Sequence, residues 1–120
     1  MFVKSRHYGN YIVKVRIDLA AELGLDPSED AYIVLKELPT MDVVGLKEAL
    51  KKGEREAVEF FRERLADMIV DHSFYETETQ KMKPADIVEL LFEKNACVGK
   101  VVGEYVNAIF PTSKSLTPGA

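Results

Sequence analysis

Three side chains that could together bind a metal ion lie close together in the stretch HSFYETETQKMKPADIVELL, which covers residues 72–91. They are His72, Glu76 and Glu78, which offer the imidazole and carboxylate ligands that transition metals use. Their spacing fixes no pair of ligands, whereas two histidines four residues apart on a helix would share one face. His72 instead continues the apolar stripe of a predicted helix. We therefore predict no metal site here.

Other residues with catalytic potential are few. His7 lies in a strand-like arm, and we interpret it as an ordinary polar residue. Cys97 is the only cysteine and sits in an apolar run, as a small buried hydrophobic residue does. The glutamates of residues 54–63 follow one helix and are typical of a solvated face. No nucleotide-binding fingerprint is present. We expect a protein that is not an enzyme, with no catalytic residue and no cofactor.

Length and composition indicate one globular domain. The chain has 120 residues, of which 47% are hydrophobic and 30% are charged. Its net charge of -4 gives no long-range attraction for nucleic acid or anionic lipid. No apolar run approaches the roughly 20 residues that span a membrane, and the first residues do not resemble a signal peptide. We expect a soluble cytoplasmic protein that binds neither membranes nor nucleic acid.

The first third of the chain has the pattern of β-structure. Alternating apolar residues predict a strand over 11–17, and β-branched and aromatic residues predict another over 31–38. Residues 2–8 are predicted as a further hairpin arm. Turns are predicted at Gly9–Asn10, Gly24 and Asp26–Ser28.

After Pro39 the apolar period changes to that of helices. Four helices are predicted, over residues 41–52 with Thr40 as N-cap, 54–71, 84–95 and 98–110. Residues 111–120 are predicted as a flexible tail. The prediction is therefore an α+β fold, a single domain over 1–110. A small antiparallel sheet or hairpin within residues 1–38 precedes a four-helix part.

A polar connector between the second and third helices carries three apolar residues, Phe74, Tyr75 and Met82. No helical or strand period directs them to the core, so we expect them on the surface. Together with Met41, at the start of the first helix, they are the candidate partner-binding residues. An alternative, that they cover their own core, stays open at this point.

Several stretches together resemble the phage tail assembly chaperones of long-tailed phages. They are YIVLKELPTMDV, FRERLADMIVDHSFYETE, MKPADIVELLFEKN and VVGEYVNAIF, within residues 11–110. The resemblance implies a non-enzymatic protein of the bacterial host cytoplasm, which keeps the tape measure protein soluble and recruits tail tube protein. It also implies a longer, frameshifted form, which a protein sequence does not reveal. Self-association into a homo-oligomer is left open.

A second resemblance concerns the stretch IDLAAELGLDPSEDAYIVL. It is similar to the swapped-hairpin DNA-binding domains of the AbrB type. In such a domain basic residues would meet phosphates, and the candidates are Lys4, Arg6, Lys14 and Arg16. The acidic balance and the long helical remainder favour the chaperone interpretation.

Overall fold

The structure is a computed structural model that describes residues 14–110. In this part of the chain three strands and four helices follow one another as β1 Lys14–Asp18, β2 Tyr32–Lys36, α1 Thr40–Lys52, α2 Glu54–Met68, β3 Ile69–His72, α3 Pro84–Phe92 and α4 Asn95–Ile109. The strands form one antiparallel sheet with β2 in the centre, which confirms the α+β prediction. The predicted arm at residues 2–8, the turn at Gly9–Asn10 and the tail at 111–120 lie outside the described residues.

The prediction that strands are confined to residues 1–38 is wrong. Helix α2 ends at Met68 instead of continuing to Asp71, and the next four residues pair with β2. Ile69 lies opposite Leu35 and His72 lies opposite Ile33, so both face the core although they are three residues apart. A bulge between these pairs adds one residue to β3. Because of the bulge, two core-facing residues of a strand, Ile69 and His72, are three positions apart, which is also the spacing of residues on one face of a helix.

The connection between β1 and β2 follows the predicted turn chemistry. Gly24 has a φ of 75°, the left-handed conformation that glycine adopts without strain. The Asp26 carboxylate accepts hydrogen bonds from the Ser28 backbone N–H, at 2.8 Å, and from the Ser28 hydroxyl. These bonds lower the pKa of Asp26. The two strands joined by this connection pair antiparallel.

The core lies between the inner face of the sheet and the helices. Ile17, Ile33 and Leu35 are fully buried on the sheet side. From the helices, Phe61 meets Tyr105 edge to face, with ring centroids 5.7 Å apart. The other fully or almost fully buried helical residues include Leu46, Leu65, Met68, Ile87, Leu91, Cys97 and Val101.

Tyr105 joins α4 to the end of the central strand. Its hydroxyl donates a hydrogen bond of 2.9 Å to the Lys36 carbonyl oxygen. Burial of the ring raises the pKa of Tyr105 to about 12, so the hydroxyl keeps its proton at neutral pH. This bond fixes which side of α4 faces the sheet.

The helix ends differ in detail from those predicted. Thr40 is the first residue of α1, and the N-cap is Pro39, with no side-chain capping bond. Helix α3 begins at Pro84 as predicted, where the missing N–H has no helical partner to lose. Helix α4 begins at Asn95, three residues earlier than predicted. Within residues 14–110, no helix is both long enough and apolar enough to cross a membrane.

Candidate functional site

The connector between β3 and α3 folds into a small hairpin. Tyr75 and Lys81 form a β-bridge, and the Met82 N–H donates to the Phe74 carbonyl oxygen at 3.0 Å. The His72 ring holds the first residues of this hairpin in place, because its Nδ1 accepts a hydrogen bond of 3.0 Å from the Phe74 N–H. The connector is therefore a defined element that packs against the sheet.

This hairpin uses most of its apolar residues internally. Phe74 is only 8% exposed and belongs to the hydrophobic core, so the expectation that it lies on the surface is wrong. Met82 is half-buried and packs against the same core. Tyr75 is 49% exposed and Met41 is 76% exposed. Of the four candidate partner-binding residues, these two remain on the surface.

The structure does not bring the three potential metal ligands together. His72 is buried on β3 and its Nδ1 is occupied, whereas Glu76 and Glu78 are exposed in the hairpin. Burial and the nearby Lys81 ammonium lower the pKa of His72, which favours the neutral ring. Among the described residues, no group of three or more histidine, cysteine or acidic side chains is arranged to hold a metal ion.

The described residues form a groove between the helices, which we call the interhelical groove. It lies where the end of α1 and the start of α2 face the end of α3 and the first half of α4. Its volume is about 710 Å³, within the range typical of binding clefts. Its lining consists of Leu50, Gly53, Glu54, Ala57, Val58, Phe92, Asn95, Val98, Gly99, Val102 and Gly103.

The lining is mainly apolar, with Glu54 as the one charged residue and Asn95 as the one uncharged polar residue among these eleven. On α4 the apolar wall results from helical spacing, since Val98 and Val102 lie one turn apart. Val58 and Leu50 line the opposite wall. Leu50 is 37% exposed, although it is a large aliphatic residue. The groove therefore offers apolar side chains to an apolar ligand surface and has no constellation of acid and base.

Two glycines leave space along the α4 wall. A Cβ atom added to Gly99 or Gly103 would meet nothing within 4 Å. Each glycine weakens the helix relative to alanine, by about 0.5–1 kcal/mol, and no packing within the described residues requires its small size. Their spacing of four places both on one side of α4. The same spacing is visible in the sequence as GKVVG, residues 99–103.

The outer face of the sheet carries the described residues of the proposed DNA-binding face. Lys14 and Arg16 are exposed there, while Lys4 and Arg6 lie outside the described residues. Arg16 is engaged locally, 3.2 Å from the Asp18 carboxylate and 3.8 Å above the Tyr32 ring. One of the two described cations is therefore already paired within the sheet.

Comparison of the chain with protein-family models, with curated proteins and with solved structures found no match.

Proposed function

We propose that this protein is a phage tail assembly chaperone that binds an apolar helical segment of the tape measure protein in the interhelical groove. The resemblance of residues 11–110 to the tail assembly chaperones suggests this function, and the interhelical groove is the structural observation that supports it. The groove replaces the connector as the proposed client site, because Phe74 is buried and Met82 is half-buried.

The groove has the properties that a helical client requires. An amphipathic helix binds by laying its apolar face into an apolar groove, with contacts spaced by three or four residues. Val98 and Val102 supply one such row, and Phe92 adds an aromatic ring to the lining. Because Gly99 and Gly103 have no side chains, the backbone of a client helix can approach α4 closely.

A chaperone needs surfaces for more than one partner. The tail tube protein is the second partner that the resemblance implies, and its contact would lie outside the groove. Met41 and Tyr75 are the candidates, since both are exposed and neither lines the groove. In this proposal the tape measure protein binds in the groove, and Met41 and Tyr75 contact the tail tube protein.

The groove can be tested by filling it without unfolding the protein. Gly103→Leu introduces a side chain where an added Cβ meets nothing, so the fold is expected to tolerate it. A matched control is Ala108→Leu, which adds a leucine to an exposed position of α4 on another side of the helix. Each variant is co-expressed with a tape measure protein as the proposed client, and the soluble fraction of that client is measured.

We expect the parent protein and Ala108→Leu to keep the client in solution, and Gly103→Leu to leave it insoluble. Thermal unfolding of each variant checks that the fold is intact. Equal client solubility with Gly103→Leu would remove the groove as the binding site. If the parent protein itself does not improve client solubility, the chaperone function is wrong.

A further inference from the structure

The outer face of the sheet holds an unusual pair of charges. Lys14 on β1 lies directly opposite Lys36 on β2 in the strand register, and both side chains are exposed. Like charges in directly opposite positions destabilise an antiparallel pair. Neither lysine has an ion pair with any residue of the described range 14–110. The outer face of the sheet therefore carries two adjacent cations that have no ion-pair partner among the described residues.

The rest of this face places an apolar centre beside these cations. Tyr32 and Val34 are half-buried on β2, and Arg16 stacks on the Tyr32 ring at 3.8 Å. At the β3 side, Lys81 lies 3.4 Å from the Asp71 carboxylate. Asp18 and Asp71 each accept one cation, so the lysine pair is left uncompensated. None of these residues lines the interhelical groove.

We propose that this outer sheet face is a second binding site, which takes an acidic peptide segment of a partner protein. Carboxylates of the segment would lie between Lys14 and Lys36 and relieve their repulsion, while an apolar side chain next to them would contact Tyr32 and Val34. Charge complementarity of this kind determines which partner binds and how fast. The inference does not depend on the chaperone function.

The chemistry favours an acidic peptide over a nucleic acid. A nucleic acid presents a long row of phosphates, which requires a broad cationic surface. Here the acidic side chains Asp18 and Asp71 lie on the same face, and the whole chain has a net charge of -4. Two or three carboxylates match the small cationic area without meeting these acidic groups.

The test uses fluorescence anisotropy with a labelled peptide in which glutamate alternates with valine. A peptide with glutamine in place of glutamate is the control ligand. Lys36→Glu is the informative variant, because its carboxylate would pair with Lys14 across the strands. It should therefore lose peptide affinity while its thermal midpoint stays equal or rises. Lys51→Glu, an exposed change of the same charge at the end of α1, is the matched control.

At about 50 mM salt, where exposed charges are weakly screened, we expect the parent protein to bind the glutamate peptide and not the glutamine peptide. Lys36→Glu should weaken binding about tenfold, whereas Lys51→Glu should change it less than about twofold. Gly103→Leu should bind the peptide normally, which separates this site from the groove.

Four results would overturn the proposal. The first is no binding of the glutamate peptide by the parent protein. The second is an equal loss of affinity in Lys51→Glu, which would indicate a general charge effect. The third is tighter binding of labelled DNA that competes with the peptide, which would make the face a nucleic-acid site. The fourth is a dimer in sedimentation that Lys36→Glu abolishes, which would make the partner a second copy of the chain.

Discussion

The connector hairpin at residues 73–83 and the interhelical groove both contain apolar residues, but they differ in how far these residues are buried. In the hairpin Phe74 points inward, its N–H donates to His72 Nδ1 and its carbonyl oxygen accepts from the Met82 N–H. The groove leaves Leu50 exposed and keeps two glycines beside open space. The apolar residue Phe74 of the polar loop is therefore part of the core, whereas Gly99 and Gly103 border open space.

Truncation of Phe74 tests whether the connector hairpin contributes to the core, and it has the largest expected effect. We expect Phe74→Ala to lower the free energy of unfolding by about 3–5 kcal/mol, the range for removing a large buried aromatic side chain. Tyr75→Ala, at the exposed neighbouring position, should change it by less than about 0.5 kcal/mol. Chemical denaturation of both variants gives the two values. A loss below about 1 kcal/mol for Phe74→Ala would show that the hairpin does not contribute to the core.

Replacing a glycine that lines the groove is expected to increase the stability of the protein. Gly103→Ala should raise the free energy of unfolding by about 0.5–1 kcal/mol, because alanine favours the helix and its Cβ meets nothing within 4 Å. Gly45→Ala is the control, since its Cβ would lie 3.4 Å from Phe60 Cε2 and part of the gain should be offset by crowding. Equal gains, or a loss at Gly103, would contradict the open space assigned to the groove.

The smallest expected effect concerns pH and the hairpin. His72 accepts the Phe74 N–H at Nδ1, and burial lowers its pKa below 6.5. The unfolded chain therefore binds a proton at higher pH than the folded chain does. The stability contributed by neutral His72 is complete above pH 6.5 and is lost as pH falls from there through the lowered pKa. The nearby charges act in opposite directions, because the Lys81 ammonium lowers the pKa of His72 further and the Asp71 carboxylate raises it.

His72→Gln provides the control for that titration, because glutamine keeps a polar side chain and does not titrate. We expect its unfolding free energy to vary less between pH 7 and pH 5 than that of the parent protein. The lowered pKa values of Asp26 and Asp71 act in a separate window: the stability that these carboxylates contribute is lost as pH falls from about 3.8 through their lowered pKa values, because the unfolded chain takes up these protons first. The same pH dependence in both proteins would show that His72 is not the titrating group.

Much of the architecture was predictable because local patterns and burial agree. The strands at Lys14–Asp18 and Tyr32–Lys36 follow alternation, and the helices follow the period of 3.6 residues. Strand β3 was not predictable in this way. Its bulge makes Ile69 and His72 face the core at a helical spacing, and only pairing with β2 distinguishes the two structures.

Local sequence alone specified the fold class, the turns at Gly24 and Asp26–Ser28 and most of the helices, because propensity, apolar period and turn residues act over a few neighbouring positions. It also contained the glycine pair of α4 and the cations of β1 and β2. Only the tertiary structure decided that Phe74 is core, that Gly99 and Gly103 face an open groove, and that Lys14 meets Lys36. Each of these depends on which distant element packs against the residue, and no local spacing specifies that.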